Sequence, residues 1–156
     1  MRYYDKAVAL AVEYLPPECK IIVSDAYKPL QVANKLLAKP YANRIVLDIH
    51  LYQAHYLDNH ADAVPLTFDQ HVHVVETEWR DLLKELSADF EILIGEWSGA
   101  LPSHAYKTMA GGESAWVDGY IQTQQSLFSE YAWAECYWTY KAPGMGVWDY
   151  RKLSIK

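Results

Sequence analysis

Apolar residues follow two periodicities along the chain, and these predict helices and strands in turn. Residues 3–15 carry apolar side chains at helical spacing, and the pair Pro16-Pro17 ends the pattern. A β-branched run follows at 21–23 and predicts a strand, after which residues 29–38 predict a second helix. The first part of the chain is therefore expected to form helix, strand, loop and helix.

The strand-loop-helix cycle then recurs. Strands are predicted at 45–49, 92–94 and 136–140, and helices at 68–86, with Thr67 as N-cap, and at 114–131. Strands that alternate with helices favour a parallel α/β sheet joined by right-handed crossovers. No linker, charge block or low-complexity stretch divides the chain, so residues 1–156 are expected to form one unit.

Composition restricts the classes of function. The chain has 51% hydrophobic and 22% charged residues, as a single globular domain requires, and a formal net charge of −6, which argues against nucleic acid or an anionic membrane surface as partner. Neither a basic-then-apolar leader nor 18 consecutive apolar residues occur, so no signal peptide or membrane span is expected in this chain, and localisation is otherwise unknown. Cys19 and Cys136 lack any ligand or disulfide spacing and are expected to be buried thiols.

Aromatic content is the unusual figure. Aromatic residues make up 14% of the chain, including 13 Tyr and 6 Trp, which is more than a routine core requires. Aromatic faces in a cleft are surfaces on which sugar rings stack, although an aromatic core would explain the same composition.

Polar and aromatic side chains follow each of the four predicted strands. In parallel α/β folds such residues converge at one end of the sheet, and a lone His or Glu there is more often structural than functional, but four successive strands contribute here. The candidates are Asp25, Tyr27, His50, Tyr52, Glu96, Trp97 and Trp138.

The candidates suit retaining cleavage of a glycoside. That reaction needs a carboxylate nucleophile and a second carboxylic acid about 5–5.5 Å away. Glu96 follows a rigid apolar strand and is the candidate nucleophile, and Tyr52 is expected to donate a hydrogen bond to it. Trp138 would provide a stacking floor for the sugar, and Tyr27 and Trp97 would line further subsites.

Two other chemistries fit the sequence less well. Five histidines, at 50, 55, 60, 71 and 73, crowd one region, but their spacing fits no closed metal-ligand pattern, so no metal or cofactor is expected. A serine hydrolase would need Gly-x-Ser-x-Gly, whereas residues 95–99 place Trp97 at the centre.

Two segments carry a resemblance to a known family. The sequences Leu-Asp-Ile-His-Leu-Tyr-Gln at 47–53 and Ile-Gly-Glu-Trp-Ser at 94–98, followed by Trp138, resemble glycoside hydrolase family 5, closest to its exo-β-1,3-glucanase branch. The resemblance implies strands five to eight of a (β/α)8 barrel, with His50 as a contact to the sugar or acid, Glu96 as nucleophile and a β-glucan or β-glucoside as substrate. Ser24-Asp25-Ala26-Tyr27 is similar to that branch's fifth strand.

The chain also departs from the family pattern. The family's acid/base glutamate lies in Asn-Glu-Pro after the fourth strand, and this motif does not occur here, so the resemblance implies the C-terminal half of a catalytic domain without its acid. Asp25 is the one other carboxylate placed at the mouth, and it is a poor substitute. Open strand edges would favour self-association or pairing with a separate N-terminal half. The alternative is a non-catalytic carbohydrate-binding or structural half-barrel remnant.

Overall fold

The computed structural model describes residues 2–55 and 64–153. Its four strands are β1 (Ile21–Ser24), β2 (Ile45–Leu51), β3 (Glu91–Trp97) and β4 (Ala134–Tyr137). Its helices are α1 (Arg2–Tyr14), α2 (Pro29–Leu37), α3 (Phe68–Val74), α4 (Arg80–Ser87), α5 (Ser103–Thr108), α6 (Gly112–Trp116) and α7 (Gln122–Tyr131). Single 3₁₀ turns occur at Ala42–Arg44, Gly146–Trp148 and Tyr150–Lys152.

The strands form one parallel sheet in the order β1-β2-β3-β4. Spatial order equals chain order, so the sheet is wound in one direction, as in an arc of a barrel, and has no switch point of the doubly wound kind. The predicted α/β fold with four parallel strands alternating with helices is confirmed. Within the described ranges β1 and β4 each pair on one side only.

The hydrophobic core lies between one face of the sheet and the helices. Ile45, Leu47 and Ile49 alternate along β2 and are buried in this core, whereas Asp48 and His50 point to the opposite face and are partly exposed. Ile22 of β1 is 55% exposed. The functional candidates on β2 therefore belong to the face that the core does not cover.

Two crossover helices contain a π-helical turn. Val75–Trp79 joins α3 to α4, and Val117–Ile121 joins α6 to α7. Trp79, at the end of the first π turn, stacks on Phe128 of α7 with ring centroids 6.4 Å apart. The predicted N-cap at Thr67 is confirmed: its side chain accepts from Gln70 N–H, and the Gln70 side chain accepts from Thr67 N–H.

Some predicted boundaries were wrong. Strands β2 and β3 run two to three residues further because their polar ends still pair in the ladder, and β4 spans 134–137 where 136–140 was predicted. Helix α5 lies in a segment predicted as loop. Part of the predicted loop after β2, residues 56–63, lies outside the described residues.

The two cysteines were predicted to be buried, and this was wrong for Cys136. Cys136 is exposed because it lies on β4, which has a neighbouring strand on one side only, and Cys19 is half-buried. Within the described ranges, no helix combines the length and apolarity needed to cross a membrane.

Candidate active site

A cleft of about 880 Å³ opens at the carboxyl ends of the strands. It contains six of the seven candidates that the sequence indicated, together with side chains from α4, the π turn before it and the C-terminal segment. The lining residues are Asp25, Tyr27, Pro29, His50, Leu51, Tyr52, His55, Trp79, Leu82, Glu96, Trp138 and Trp148. Asp25 is included although it is almost fully buried, and Trp97 is the predicted candidate that the cleft lacks.

Glu96 is held by the predicted tyrosine. Tyr52 Oη donates a hydrogen bond of 3.0 Å to Glu96 Oε2, which leaves Oε1 directed elsewhere. Burial, and then the hydrogen bond to the Glu96 carboxylate, raise the pKa of the Tyr52 hydroxyl well above its usual range, so Tyr52 is a donor at any ordinary pH. His50 Nδ1 lies 4.0 Å from the same Oε2.

A register shift brings these side chains together. The pairing of β2 with β3 shifts between Ile49 and His50, so that Ile49 lies opposite Ile94 while His50 lies opposite Glu96. Such a bulge re-aims one side chain relative to the regular alternation, and here it places the Glu96 carboxylate on the same face as His50. The sequence indicated the residues but not the bulge.

Asp48 lies beside His50, and Gly95 lies beside Asp48. Asp48 Oδ2 is 3.2 Å from His50 Nε2, and a Cβ added at Gly95 would come within 1.7 Å of Asp48 Oδ1. Glycine at 95 therefore makes room for the Asp48 carboxylate, and neither residue had been singled out for this contact in the sequence.

Asp25 organises the loop that carries Tyr27. It is 1% exposed, and its two oxygens accept from the backbone N–H groups of Tyr27 at 3.0 Å and His50 at 3.4 Å. Burial raises the pKa of the Asp25 carboxyl. Ala26 and Tyr27 have φ angles of 48° and 56°, and the Tyr27 ring meets the His50 ring edge-on at 5.7 Å. Asp25 is thus engaged in shaping the loop.

Trp138 and Trp148 supply aromatic surface to the cleft. Trp138, immediately after β4, is 52% exposed, and its backbone N–H donates a hydrogen bond to the backbone oxygen of Trp97. The ring centroid of Trp148 lies 6.0 Å from that of Tyr52. The sequence did not indicate Trp148 as a site residue, because its segment predicted little beyond a turn. The signal that could have found it is a tryptophan in a polar, glycine-containing tail, where core burial is not expected.

Trp97 does not line the cleft, contrary to the prediction. It is 1% exposed and packs edge-on against Tyr137 and Phe128, with centroids 4.8 Å and 5.3 Å away. Successive residues of a strand point to opposite faces, so the residue after Glu96 is directed into the core.

The histidines occupy separate environments. His71 is buried and its Nδ1 lies 2.6 Å from Gln53 Oε1, whereas His73 is exposed on the same helix. His60 lies outside the described residues. In the part of the chain that the structure describes, no three His, Cys, Asp or Glu side chains are grouped so as to hold a metal ion.

Comparison with known proteins relates the chain to fungal glycosyl hydrolases. A Saccharomyces cerevisiae protein described as an uncharacterized glycosyl hydrolase is 30% identical over 142 residues, covering 88% of this chain and 26% of the yeast protein. Glucan 1,3-beta-glucosidase 1 of Schizosaccharomyces pombe is 27% identical over 169 residues, covering 96% of this chain and 39% of that enzyme. No protein-family model matches the chain.

A solved structure shares the fold. The crystal structure of AoRut superposes with a TM-score of 0.61 at 19% identity, covering 91% of this chain and 34% of that one. The chain thus spans between 26% and 39% of the length of the curated relatives it matches, and its relationship to glycosyl hydrolases is distant.

Proposed function

We propose that this chain carries the nucleophile half of a retaining β-glucosidic hydrolase, built as the C-terminal part of a (β/α)8 barrel. The hydrogen bond from Tyr52 to Glu96 carries the proposal, because it fixes a carboxylate at the end of a parallel strand, inside an aromatic cleft. The similarity to a glucan 1,3-beta-glucosidase supports a β-1,3-glucan or β-glucoside as substrate.

Glu96 would attack the anomeric carbon through Oε1. Tyr52 occupies Oε2, so Oε1 is the oxygen available to form the new C1–O bond. As that bond forms, the bond from C1 to the leaving oxygen breaks and its electron pair leaves with that oxygen. A glycosyl ester of Glu96 results, and water releases the sugar in a second step.

The aromatic residues would bind the sugar. Trp138 and Trp148 are partly exposed in the cleft, and Tyr27 is 68% exposed at its entrance. Faces of this kind bind the axial C–H groups of a pyranose, while His50 lies close enough to Glu96 to contact a neighbouring hydroxyl.

One observation favours the second candidate, a carbohydrate-binding unit without turnover. Among the described residues that line the cleft, the carboxylates are Glu96 and Asp25, and both oxygens of Asp25 accept backbone N–H groups. Asp25 is therefore poorly placed to protonate a leaving group. A substrate whose leaving group departs without a proton separates the two candidates.

The test is covalent trapping. Folded protein is incubated with 2,4-dinitrophenyl 2-deoxy-2-fluoro-β-glucoside, and the intact mass is measured. We expect a stable adduct of one fluoroglucosyl group, lost in Glu96→Gln and retained in Glu91→Gln, whose side chain lies exposed at the other end of the same strand. A folded protein that forms no adduct would contradict the enzymatic proposal and favour the binding unit.

A further inference from the structure

We infer that Asp48 is a positioning residue that fixes the imidazole of His50 with Nδ1 directed toward Glu96. The inference rests on the proposed function for its consequence in catalysis, although its geometry stands independently. Asp48 Oδ2 lies 3.2 Å from His50 Nε2, and His50 Nδ1 lies 4.0 Å from Glu96 Oε2. The imidazole thus stands between two carboxylates, with one ring nitrogen facing each.

The remaining contacts of His50 do not fix the rotation of its ring. Asp25 accepts from the backbone N–H of His50, which holds the main chain, and Tyr27 packs its ring edge-on against the imidazole. A ring flip would exchange nitrogen and carbon positions within this packing at little steric cost. Asp48 distinguishes the two orientations, because only one of them gives its carboxylate a donor.

Gly95 allows Asp48 to reach this position. A Cβ at residue 95 would lie 1.7 Å from Asp48 Oδ1 and 2.7 Å from its Cγ, so any other residue would displace the carboxylate. Within the described ranges, the buried Oδ1 has no hydrogen-bond partner. A carboxylate buried in this way is stabilised by a donor on its other oxygen, which is the His50 Nε2–H group.

The arrangement sets the tautomer of the neutral imidazole. With Nε2 protonated toward Asp48, Nδ1 carries the lone pair and can accept a proton or a sugar hydroxyl beside Glu96. The titratable groups that face His50 are Asp48, Glu96, Tyr27 and Asp25. Asp48 therefore acts on the reaction through His50 and does not touch the substrate.

The first test is the tautomer of His50, measured by long-range ¹H–¹⁵N NMR at pH 8 on the full chain. We expect the Nε2–H form to dominate in the wild type and in Asp48→Asn, whose amide oxygen still accepts, and to lose its dominance in Asp48→Ala. Asp81→Asn, an exposed change on α4, serves as the matched control and should leave the spectrum unchanged. A wild-type His50 with Nδ1 protonated, or an unchanged spectrum in Asp48→Ala, would overturn the inference.

Gly95→Ala provides an independent route to the same result. The added methyl group should displace Asp48 and change the His50 tautomer as Asp48→Ala does. The double variant Asp48→Ala with Gly95→Ala should recover part of the stability that Gly95→Ala loses, because the methyl group added at residue 95 no longer clashes with a carboxylate at position 48. Its His50 tautomer should stay changed. A Gly95→Ala protein that keeps the wild-type tautomer would count against the role given to Gly95.

The trapping rate separates this inference from the proposed function. In the wild type and Asp81→Asn we expect equal rates, and in Asp48→Ala a rate constant lower by about 10- to 100-fold with little change in the concentration for half-saturation. If the wild type forms no adduct, the proposed function fails while the NMR result still decides the role of Asp48. An adduct that forms as fast in Asp48→Ala as in the wild type would overturn the positioning role.

Discussion

The Tyr52 hydroxyl and the Glu96 carboxylate lie 44 positions apart in the chain and are joined by a hydrogen bond of 3.0 Å. Tyr52 follows β2 and Glu96 lies at the carboxyl end of β3, and the β2–β3 register shift pairs Glu96 with His50, two residues before Tyr52. The bond ties the orientation of the candidate nucleophile to a donor that stays protonated, because burial and the carboxylate both raise the pKa of Tyr52.

Tyr52→Phe should slow trapping without unfolding the protein. A hydrogen bond to a charged group contributes about 1.5–3 kcal/mol, so the rate of adduct formation should fall by roughly 10- to 100-fold. Time-resolved intact mass measures this rate. Tyr3→Phe is the control, because Tyr3 is 76% exposed on α1 and its variant should react at the wild-type rate. An unchanged rate in Tyr52→Phe would show that the bond does not orient the nucleophile.

Replacing Trp97 and replacing Trp138 should have very different effects on the free energy of unfolding. Trp97 is 1% exposed, so Trp97→Ala should lower the free energy of unfolding by about 3–5 kcal/mol, as truncation of a core aromatic does. Trp138 is 52% exposed, and Trp138→Ala should cost under about 1 kcal/mol. Urea denaturation measures both.

In sugar binding, a change at Trp138 should have a larger effect than a change at Trp97. Trp138→Ala should weaken binding of a β-1,3-glucan trisaccharide by about 3- to 10-fold through lost stacking, measured by calorimetry. Trp97→Phe, a milder core change that retains an aromatic ring, should bind as the wild type does. Equal binding by Trp138→Ala and the wild type would remove Trp138 from the sugar site.

The free energy of unfolding should decrease as the pH is lowered below neutrality, because His71 is buried in its neutral form. Burial, with a smaller contribution from His104, lowers the pKa of His71 to about 4 from the ordinary histidine value of 6.5. Between these two values the unfolded chain binds a proton that the folded chain does not, so the stabilisation is complete above pH 6.5 and is lost as the pH falls toward 4. The loss from this group is about 3 kcal/mol at most.

Urea denaturation between pH 7 and 4.5 checks the assignment. His71→Gln, which cannot titrate, should show a shallower decline of the free energy of unfolding than the wild type. His73→Gln, an exposed change on the same helix, should follow the wild-type curve. Parallel curves for the wild type and His71→Gln would contradict the prediction.

Ala26→Gly should leave the protein as stable or make it slightly more stable. Ala26 has a φ of 48°, which costs an L-residue about 1–2 kcal/mol and glycine little. Glycine loses roughly 0.5–1 kcal/mol of this gain through a more flexible unfolded chain, so the net change should lie between zero and about +1 kcal/mol. Ala38→Gly, at a φ of −73°, should instead destabilise the protein. Equal losses in thermal denaturation would show that no strain is stored at Ala26.

Periodicity sufficed for the fold because the strands are short apolar runs separated by amphipathic helices. It placed Thr67 at a helix start, and it brought Glu96 and Tyr52 to one end of the sheet. The residues themselves therefore predicted the contact that carries the proposed function.

Periodicity failed where side-chain direction depended on backbone geometry. Trp97 was expected in the cleft because it adjoins Glu96, but strand alternation directs it inward. Three further features depend on the relative positions of distant segments. They are the bulge beside His50, the contact between Asp48 and Gly95, and the position of Trp148 in the cleft. The bulge and the contact between Asp48 and Gly95 leave no local pattern in the sequence, and the composition around Trp148 indicates an exposed tryptophan without its place in the cleft.

The π-helical turn at Val75–Trp79 fits one extra residue into the helical segment that joins α3 to α4. Deleting one residue there would give an uninterrupted α-helix with regular hydrogen bonding, which local energetics would favour. The five residues of the π turn cover nearly the rotation that four residues would cover in an α-helix at about 100° each, so the turn accommodates one extra residue while Leu83 and Leu86 stay buried in the core. The π turn therefore keeps the apolar faces of α3 and α4 in phase, whereas the same residues wound as a regular α-helix would turn Leu83 and Leu86 by about 100° away from the core.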